Sequence, residues 1–122
     1  MTSYATITSE YDNISKLIKN AQNIAVIQAE NPDGDSLGSA LALEGLLSDR
    51  GKFVSLYCPV EIPKYLRYFE GWDRVNNNLE TNSDLFIIVD TASATLLSKV
   101  LENPRYDDTL RNKPVLVLDH HS

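Results

Sequence analysis

Two aspartates, Asp33 and Asp35, flank a single glycine where an apolar segment ends and a helical pattern begins. Carboxylates this close together repel each other unless a cation offsets their charge. Two further apolar segments also end in ionisable residues, and the residue types suggest a site for a divalent cation. These residues are Asp90 after one segment and Asp119, His120 and His121 after the other.

Carboxylate oxygens together with imidazole nitrogens suit manganese or magnesium, and imidazole favours manganese. Two such ions that share a bridging carboxylate lower the pKa of a bound water, which becomes a nucleophile for phosphoester hydrolysis. A helix that begins near Ser36 directs its unpaired N–H groups toward the same place and favours an anion there. Gly34 is expected to let the backbone turn sharply between the two aspartates. The pattern therefore indicates metal-assisted chemistry on a phosphate.

Each of these signals also has an ordinary structural interpretation. A DGD segment is common in turns, and an aspartate at a strand end often caps the next helix. Histidines at the end of a chain can simply be solvated. The joint placement of such residues at the ends of three separate strands favours the metal site.

Apolar segments that suit buried strands alternate with helical segments along the chain. This alternation predicts an α/β fold of three layers (α/β/α), in which a mainly parallel sheet carries helices on both faces. Ligands of such sheets bind beyond the carboxyl ends of the strands, so the ionisable strand ends converge if their strands are neighbours. The predicted strands cover 23–28, 53–57, 84–90 and 114–119, and the first two predicted helices cover 9–21 and 36–50, with Gly51 as the stop of the second.

Other segments carry weaker patterns. Residues 71–83 are polar and rich in asparagine, which predicts a loop. A helix is expected within 91–103 that ends before Pro104, and 105–114 is expected to connect it to the last strand.

A group of aromatic residues either forms a platform for stacked bases or, as we favour, packs a small helix against the edge of the sheet. This group is Tyr57, Tyr65, Tyr68, Phe69 and Trp72.

The 122-residue chain has 43% hydrophobic and 23% charged residues, as expected for one globular domain or part of one. It contains no run of 18 apolar residues, so no membrane span is expected. A net charge of −6 argues against tight binding of duplex DNA. The single Cys58 cannot form an internal disulfide, which fits a reducing cytoplasm, and without a nearby histidine it is not expected to be a nucleophile.

Three segments, NPDGDSLGSALAL, DLFIIVD and VLVLDHHS, resemble in order the first three motifs of the DHH phosphoesterase superfamily. The motifs lie in 29–39, 84–90 and 114–121, and the resemblance extends over about residues 20–122. It is strongest to the RecJ-like branch, which includes oligoribonucleases and phosphatases of 3′-phosphoadenosine 5′-phosphate. The fold that this resemblance implies is the N-terminal DHH domain.

The resemblance implies a binuclear site for manganese, with magnesium as an alternative. The implied metal ligands are Asp33 for one ion, Asp35 and His120 for the other, and Asp90 as the bridge between them.

Further residues are implied to act on the substrate. His121 would contact the substrate phosphate or assist the leaving group, and Asp119 would orient the histidines. The weaker candidates for phosphate contact are Ser36, Gly38 and Ser39.

Two features depart from the family pattern. The position of Ala29 usually carries a histidine that ligates the first metal. A methyl group cannot ligate, and Glu30 points to the opposite side of an extended segment, so the first metal site is expected to be weakened or lost. A fourth motif with a further aspartate, and a smaller C-terminal substrate-binding domain, would lie beyond Ser122. We therefore expect 1–122 to be a partial N-terminal domain that is inactive or impaired by itself.

The first functional hypothesis is a cytoplasmic, manganese-dependent phosphoesterase, exonuclease-like, that hydrolyses short oligonucleotides or small nucleotide phosphates through metal-activated water. The alternative is a degenerate member that binds a nucleotide or a metal without hydrolysis, because Ala29 replaces the usual histidine. A third possibility is a flavodoxin-like interaction domain whose acids bind one magnesium ion, and the paired histidines at 120–121 argue against it.

Overall fold

The computed structural model describes residues 11–89 and 98–118 of the chain. Within them, the strands are β1 (Asn23–Ile27), β2 (Phe53–Tyr57), β3 (Val75–Asn76), β4 (Leu85–Val89) and β5 (Val115–Leu118). The α-helices are α1 (Tyr11–Asn20), α2 (Gly34–Asp49), α3 (Ser98–Leu101) and α4 (Pro104–Asn112), and 3₁₀ turns cover Lys64–Leu66 and Trp72–Arg74. No helix in this described part is long and apolar enough to cross a membrane.

The strands form one sheet in the order β3-β2-β1-β4-β5, and every neighbouring pair is parallel. The chain enters the sheet at its centre, adds β2 and β3 on one side, and then crosses to the other side of β1 to add β4 and β5. The direction of winding therefore reverses between β1 and β4. Open parallel sheets bind ligands beyond the carboxyl ends of the strands at such a reversal.

The two central strands are apolar on both faces because helices cover both sides of the sheet. One face carries Ala25, Ile27 and Phe86, which pack with Val100 of α3 and Leu110 of α4. The opposite face packs with α1 and α2 through a second cluster, whose buried members include Ile24, Val26, Ile87, Ala40 and Leu47. These three layers confirm the predicted α/β fold with a parallel sheet.

Helix α2 begins at Gly34, two residues before the predicted start at Ser36, because Asp33 caps it. The Asp33 carboxylate accepts the Ser36 N–H at 2.8 Å, and the Ser36 hydroxyl accepts the Asp33 N–H at 3.0 Å. Gly34 is thus the first helical residue, and its φ is not positive, so the expected sharp turn between the aspartates is wrong. The C-terminal stop is confirmed: Gly51 follows the helix with a φ of 81°.

Two elements differ from the sequence prediction. Residues 105–114 were expected to connect two elements, but α4 occupies most of this segment. Its start is fixed by Asn103, whose side-chain oxygen accepts the N–H groups of Arg105 and Tyr106 at 2.9 and 3.4 Å. Pro104 therefore begins a helix, where its missing N–H is not needed. Strand β3 lies in the predicted polar loop and pairs with β2 at the sheet edge for only two residues.

Candidate functional site

The first predicted site residues lie at the carboxyl end of β1, where the chain enters α2. Both Asp33 and Asp35 are exposed there. Strands β1, β4 and β5 are consecutive neighbours in the sheet, with Ile27 beside Ile88 and Val89 beside Leu118. Convergence of the three strand ends requires that their strands be neighbours, and this order meets that condition. The predicted residues Asp90, Asp119, His120 and His121 lie outside the described residues.

The two aspartates differ in what their oxygens already bind. Oδ1 of Asp33 accepts the Ser36 N–H, which holds the carboxylate in one orientation. Its second oxygen, and both oxygens of Asp35, accept no hydrogen bond within the described residues. Asp33 is therefore held in place while it retains an oxygen for a ligand.

Ser36 is 4% exposed, and its hydroxyl is occupied by contacts within the protein. The oxygen accepts N–H groups from Asp33 at 3.0 Å and from Gln28 at 3.1 Å, and the hydroxyl donates to the Asp33 carbonyl at 3.2 Å. The structure thus gives Ser36 a role in the helix cap, and its predicted phosphate contact stays a prediction. Gly38 and Ser39 are half-buried in the next turn of α2, and a Cβ on Gly38 would lie 3.7 Å from the Phe69 ring.

The residue at the departed histidine position is buried. Ala29 is 8% exposed and packs in the apolar cluster that contains Tyr57 and Phe86. Its neighbour Glu30 accepts the Lys99 N–H at 2.8 Å, which directs one carboxylate oxygen toward α3. Ala29 carries no metal donor, and Glu30 uses one carboxylate oxygen in its contact with Lys99. The weakened first metal site stays a prediction.

The described residues fit a divalent cation in part. Asp33 and Asp35 offer the carboxylate oxygens that such ions prefer, and Ala29 offers no donor. Among residues 11–89 and 98–118, no group of three His, Cys, Asp or Glu side chains could hold a metal ion. A complete site would therefore need ligands from the strand ends that follow β4 and β5.

Gln28 is a polar residue that the sequence analysis did not single out. It follows β1, is fully buried, and its Nε2 donates to the Ser36 hydroxyl at 3.1 Å. Its Oε1 is buried and has no hydrogen-bond partner within the described residues. An unpaired buried acceptor costs about 1–3 kcal/mol of stability. The sequence feature that could have drawn attention to Gln28 is its type: it is a single amide at the end of an otherwise apolar strand, shortly before the NPDGD segment.

The expectation for Cys58 agrees with its surroundings. Burial raises the pKa of the Cys58 thiol to about 11, which leaves little thiolate at neutral pH. The Sγ atom lies 3.4 Å from the Ala29 carbonyl and donates to it. Cys58 is therefore a buried structural residue.

The aromatic group divides into two sets. Tyr57 is buried and packs edge-on against Tyr106 at 5.7 Å, and both Phe69 and Trp72 pack beside the buried Leu37. Phe69 and Trp72 share their cluster with Leu66 of the 3₁₀ turn and Val75 of the edge strand, so the packing interpretation is confirmed for these two residues. Tyr57 packs against α4 instead. Tyr65 is 69% exposed, so the packing interpretation is wrong for it. Tyr68 is 78% exposed, but its ring centroid lies 4.8 Å from that of Phe69.

The fold defines a class: doubly wound α/β proteins, in which ligands bind beyond the strand ends where the winding reverses. Residues 23–122 match the model of the DHH family, N-terminal domain. The chain therefore belongs to the DHH family.

A similar fold is found in the crystal structure of an exopolyphosphatase-related protein from Bacteroides fragilis. The TM-score is 0.74 at 21% sequence identity, and the match covers 90% of this chain. The chain spans about a third of that protein, since the match covers 34% of its length. At this identity the likeness shows the fold.

Proposed function

We propose that this chain is part of a manganese-dependent phosphoesterase of the DHH family that hydrolyses short oligonucleotides or small nucleotide phosphates. The observation that carries the proposal is the pair Asp33 and Asp35, exposed at the carboxyl end of the central strand beside the reversal of winding. Membership of the DHH family supports phosphoester hydrolysis, and the RecJ-like branch is the one we favour.

In this proposal Asp33 and Asp35 hold divalent ions together with Asp90 and His120. Such ions, when bound, neutralise charge on the phosphate and activate water. The start of α2 would contribute to phosphate binding without the metal ions, because the N–H groups of the first helical turn attract an anion.

Two other residues act on the substrate in this proposal. His121 contacts the phosphate or the leaving group, and Asp119 orients the histidines. Ser36 keeps the Asp33 carboxylate in place through the helix cap.

A second candidate is a member that binds nucleotide or metal without turnover. The buried Ala29 favours it, because a methyl group replaces a ligand of the first metal position. Under this alternative Asp35 and its partners would still bind one ion. The two candidates therefore differ in turnover rather than in fold.

The test is an assay of the full-length protein with Mn²⁺ on a dinucleotide, on 3′-phosphoadenosine 5′-phosphate and on inorganic tripolyphosphate. The last substrate is included because the structural neighbour is described as exopolyphosphatase-related. We expect turnover of a nucleotide substrate that requires Mn²⁺ and is lost in Asp33→Asn but retained in Asp84→Asn. A protein that binds Mn²⁺ and turns over none of the three would support the second candidate.

A further inference from the structure

Gln28 lies between the end of β1 and residues 29–33, which lead into α2 and are called the site loop. Its backbone N–H donates to the Tyr57 carbonyl at 2.8 Å, which extends the pairing of β1 with β2 by one residue. Its side chain is fully buried and donates to the Ser36 hydroxyl at 3.1 Å. Gln28 thus connects the sheet to the first turn of α2.

The contact continues from Ser36 to Asp33. The Ser36 hydroxyl accepts the Asp33 N–H at 3.0 Å, and the Ser36 N–H donates to Oδ1 of Asp33 at 2.8 Å. The hydroxyl makes one of these two bonds and also donates to the Asp33 carbonyl at 3.2 Å, so its position affects how Asp33 lies against Ser36. The chain of hydrogen bonds therefore fixes where the free oxygen of the Asp33 carboxylate points.

A purely structural role does not account for an amide at position 28. Its Oε1 is buried and accepts no hydrogen bond within the described residues, and a buried acceptor that is left unpaired costs stability. An unbranched apolar side chain of similar length would fill the same space without that cost. The donor function of Nε2 toward Ser36 is what an apolar side chain could not supply.

We propose that Gln28 is a positioning residue that orients the Asp33 carboxylate through Ser36 and thereby sets its affinity for a divalent cation. The part that concerns the cation rests on the proposed function. The part that concerns the orientation of Asp33 rests only on the hydrogen bonds described here.

The experiment compares Gln28→Met with Gln22→Met. Gln22 is a suitable control because it is exposed, and its Nε2 donates to the Gly51 carbonyl, away from Asp33. Calorimetric titration gives the Mn²⁺ affinity, and hydrogen exchange followed by NMR gives the protection of the Ser36 amide. Thermal unfolding shows whether each variant is folded.

For Gln28→Met we expect Mn²⁺ affinity to fall about tenfold, as for other residues that support a metal ligand. Exchange of the Ser36 amide should become about fivefold faster, the factor for one hydrogen bond of ordinary strength. The melting temperature should stay close to that of the wild type, because methionine is an unbranched side chain of similar volume. Gln22→Met should change neither the affinity nor the exchange rate.

Ser36→Ala removes the hydroxyl that links Gln28 to Asp33. This variant replaces Gln28→Met in the test if Gln28→Met does not fold. With Ser36→Ala present, Gln28→Met should lower Mn²⁺ affinity no further, whereas independent, additive losses would overturn the proposal. Unchanged affinity and unchanged exchange in Gln28→Met would also overturn it. If the wild type binds no Mn²⁺, the proposed function fails, and the exchange of the Ser36 amide alone decides whether Gln28 orients Asp33.

Discussion

The acids at the two ends of the sheet differ in how many backbone N–H groups they bind and in how far apart in sequence those groups lie. At the amino end, one oxygen of Asp84 accepts the N–H groups of Gln22 and Asn23, both at 2.9 Å. At the carboxyl end, Asp33 accepts one such bond and Asp35 none within the described residues. Asp84 joins two backbone N–H groups that are distant in sequence, Asp33 holds one within its own helix cap, and Asp35 is the least committed to the fold. Exposure alone does not separate these acids, because all three residues are exposed.

The largest expected effect is that of Asp33→Asn. Asparagine caps a helix as well as aspartate does, so the free energy of unfolding should hardly change. The affinity for Mn²⁺ should fall by at least about 100-fold, since even residues behind a metal ligand change affinity by 10- to 100-fold. Calorimetric titration measures the affinity, with Asp84→Asn as the matched control at the other end of the sheet. Equal Mn²⁺ binding by wild type and Asp33→Asn would remove Asp33 from the site.

Ala29→His should have the next largest effect. In the proposed site an imidazole at this position would supply the missing metal ligand, and Mn²⁺ affinity should rise about tenfold. The larger side chain enters a packed cluster beside Tyr57, which should destabilise the protein by about 1–3 kcal/mol. Titration and thermal unfolding of the same variant measure the two effects. A variant that gains phosphoester hydrolysis from an inactive parent would establish that the natural protein is degenerate.

A smaller effect distinguishes two helix caps. Asn103 caps α4 and Asp33 caps α2, both through a side-chain oxygen. Asn103→Ala and Asp33→Ala should each lower the free energy of unfolding by about 1 kcal/mol. Only Asp33→Ala should also abolish Mn²⁺ binding. Urea unfolding with and without Mn²⁺ tests this, because a bound ion stabilises only the variant that still binds it. Stabilisation of Asp33→Ala by Mn²⁺ would contradict the prediction.

The smallest effect concerns pH. Hydrogen bonds from the Asn23 and Gln22 backbone N–H groups hold the pKa of Asp84 below its ordinary value of 3.8. The unfolded chain therefore takes up this proton more readily than the folded protein. The stability that Asp84 contributes is fully present above the unfolded pKa and is lost as pH falls through the lower folded pKa. In Asp84→Asn, thermal unfolding between pH 5 and 2.5 should show a shallower loss of stability. An identical slope in wild type and variant would show that these hydrogen bonds contribute nothing.

Most of the sheet could be predicted because its central strands are buried on both faces and form continuous apolar runs. The predicted strands 23–28 and 53–57 agree with β1 and β2 to within one residue. Strand β3 could not be predicted, since two residues in a polar segment carry no periodic pattern and pair only because β2 lies beside them. Helix α4 could not be predicted because a proline equally ends one helix or begins the next, and the cap by Asn103 that makes Pro104 a first residue forms only in the fold.

The candidate site was predictable in its residue types but not in its supporting contacts. The DGD segment marked Asp33 and Asp35 directly, and the resemblance to the DHH family named the rest of the predicted set. The role of Gln28 depends on where the Ser36 hydroxyl lies after folding, which no local pattern encodes. The order of the strands likewise follows from packing, and it decides which strand ends are neighbours.

The two ends of the sheet also differ in how soon their contacts can form. The hydrogen bonds that hold Asp33 and Ser36 in place join residues 3 and 8 positions apart, whereas those of Asp84 join residues 61 and 62 positions apart. Closing a long loop costs more conformational entropy than closing a short one, so local contacts form first. The site loop can assemble with β1 and α2 alone, and the amino end closes only when β4 joins the sheet. Mutations around Asp84 should therefore act on late steps of folding, and mutations around Ser36 on early ones.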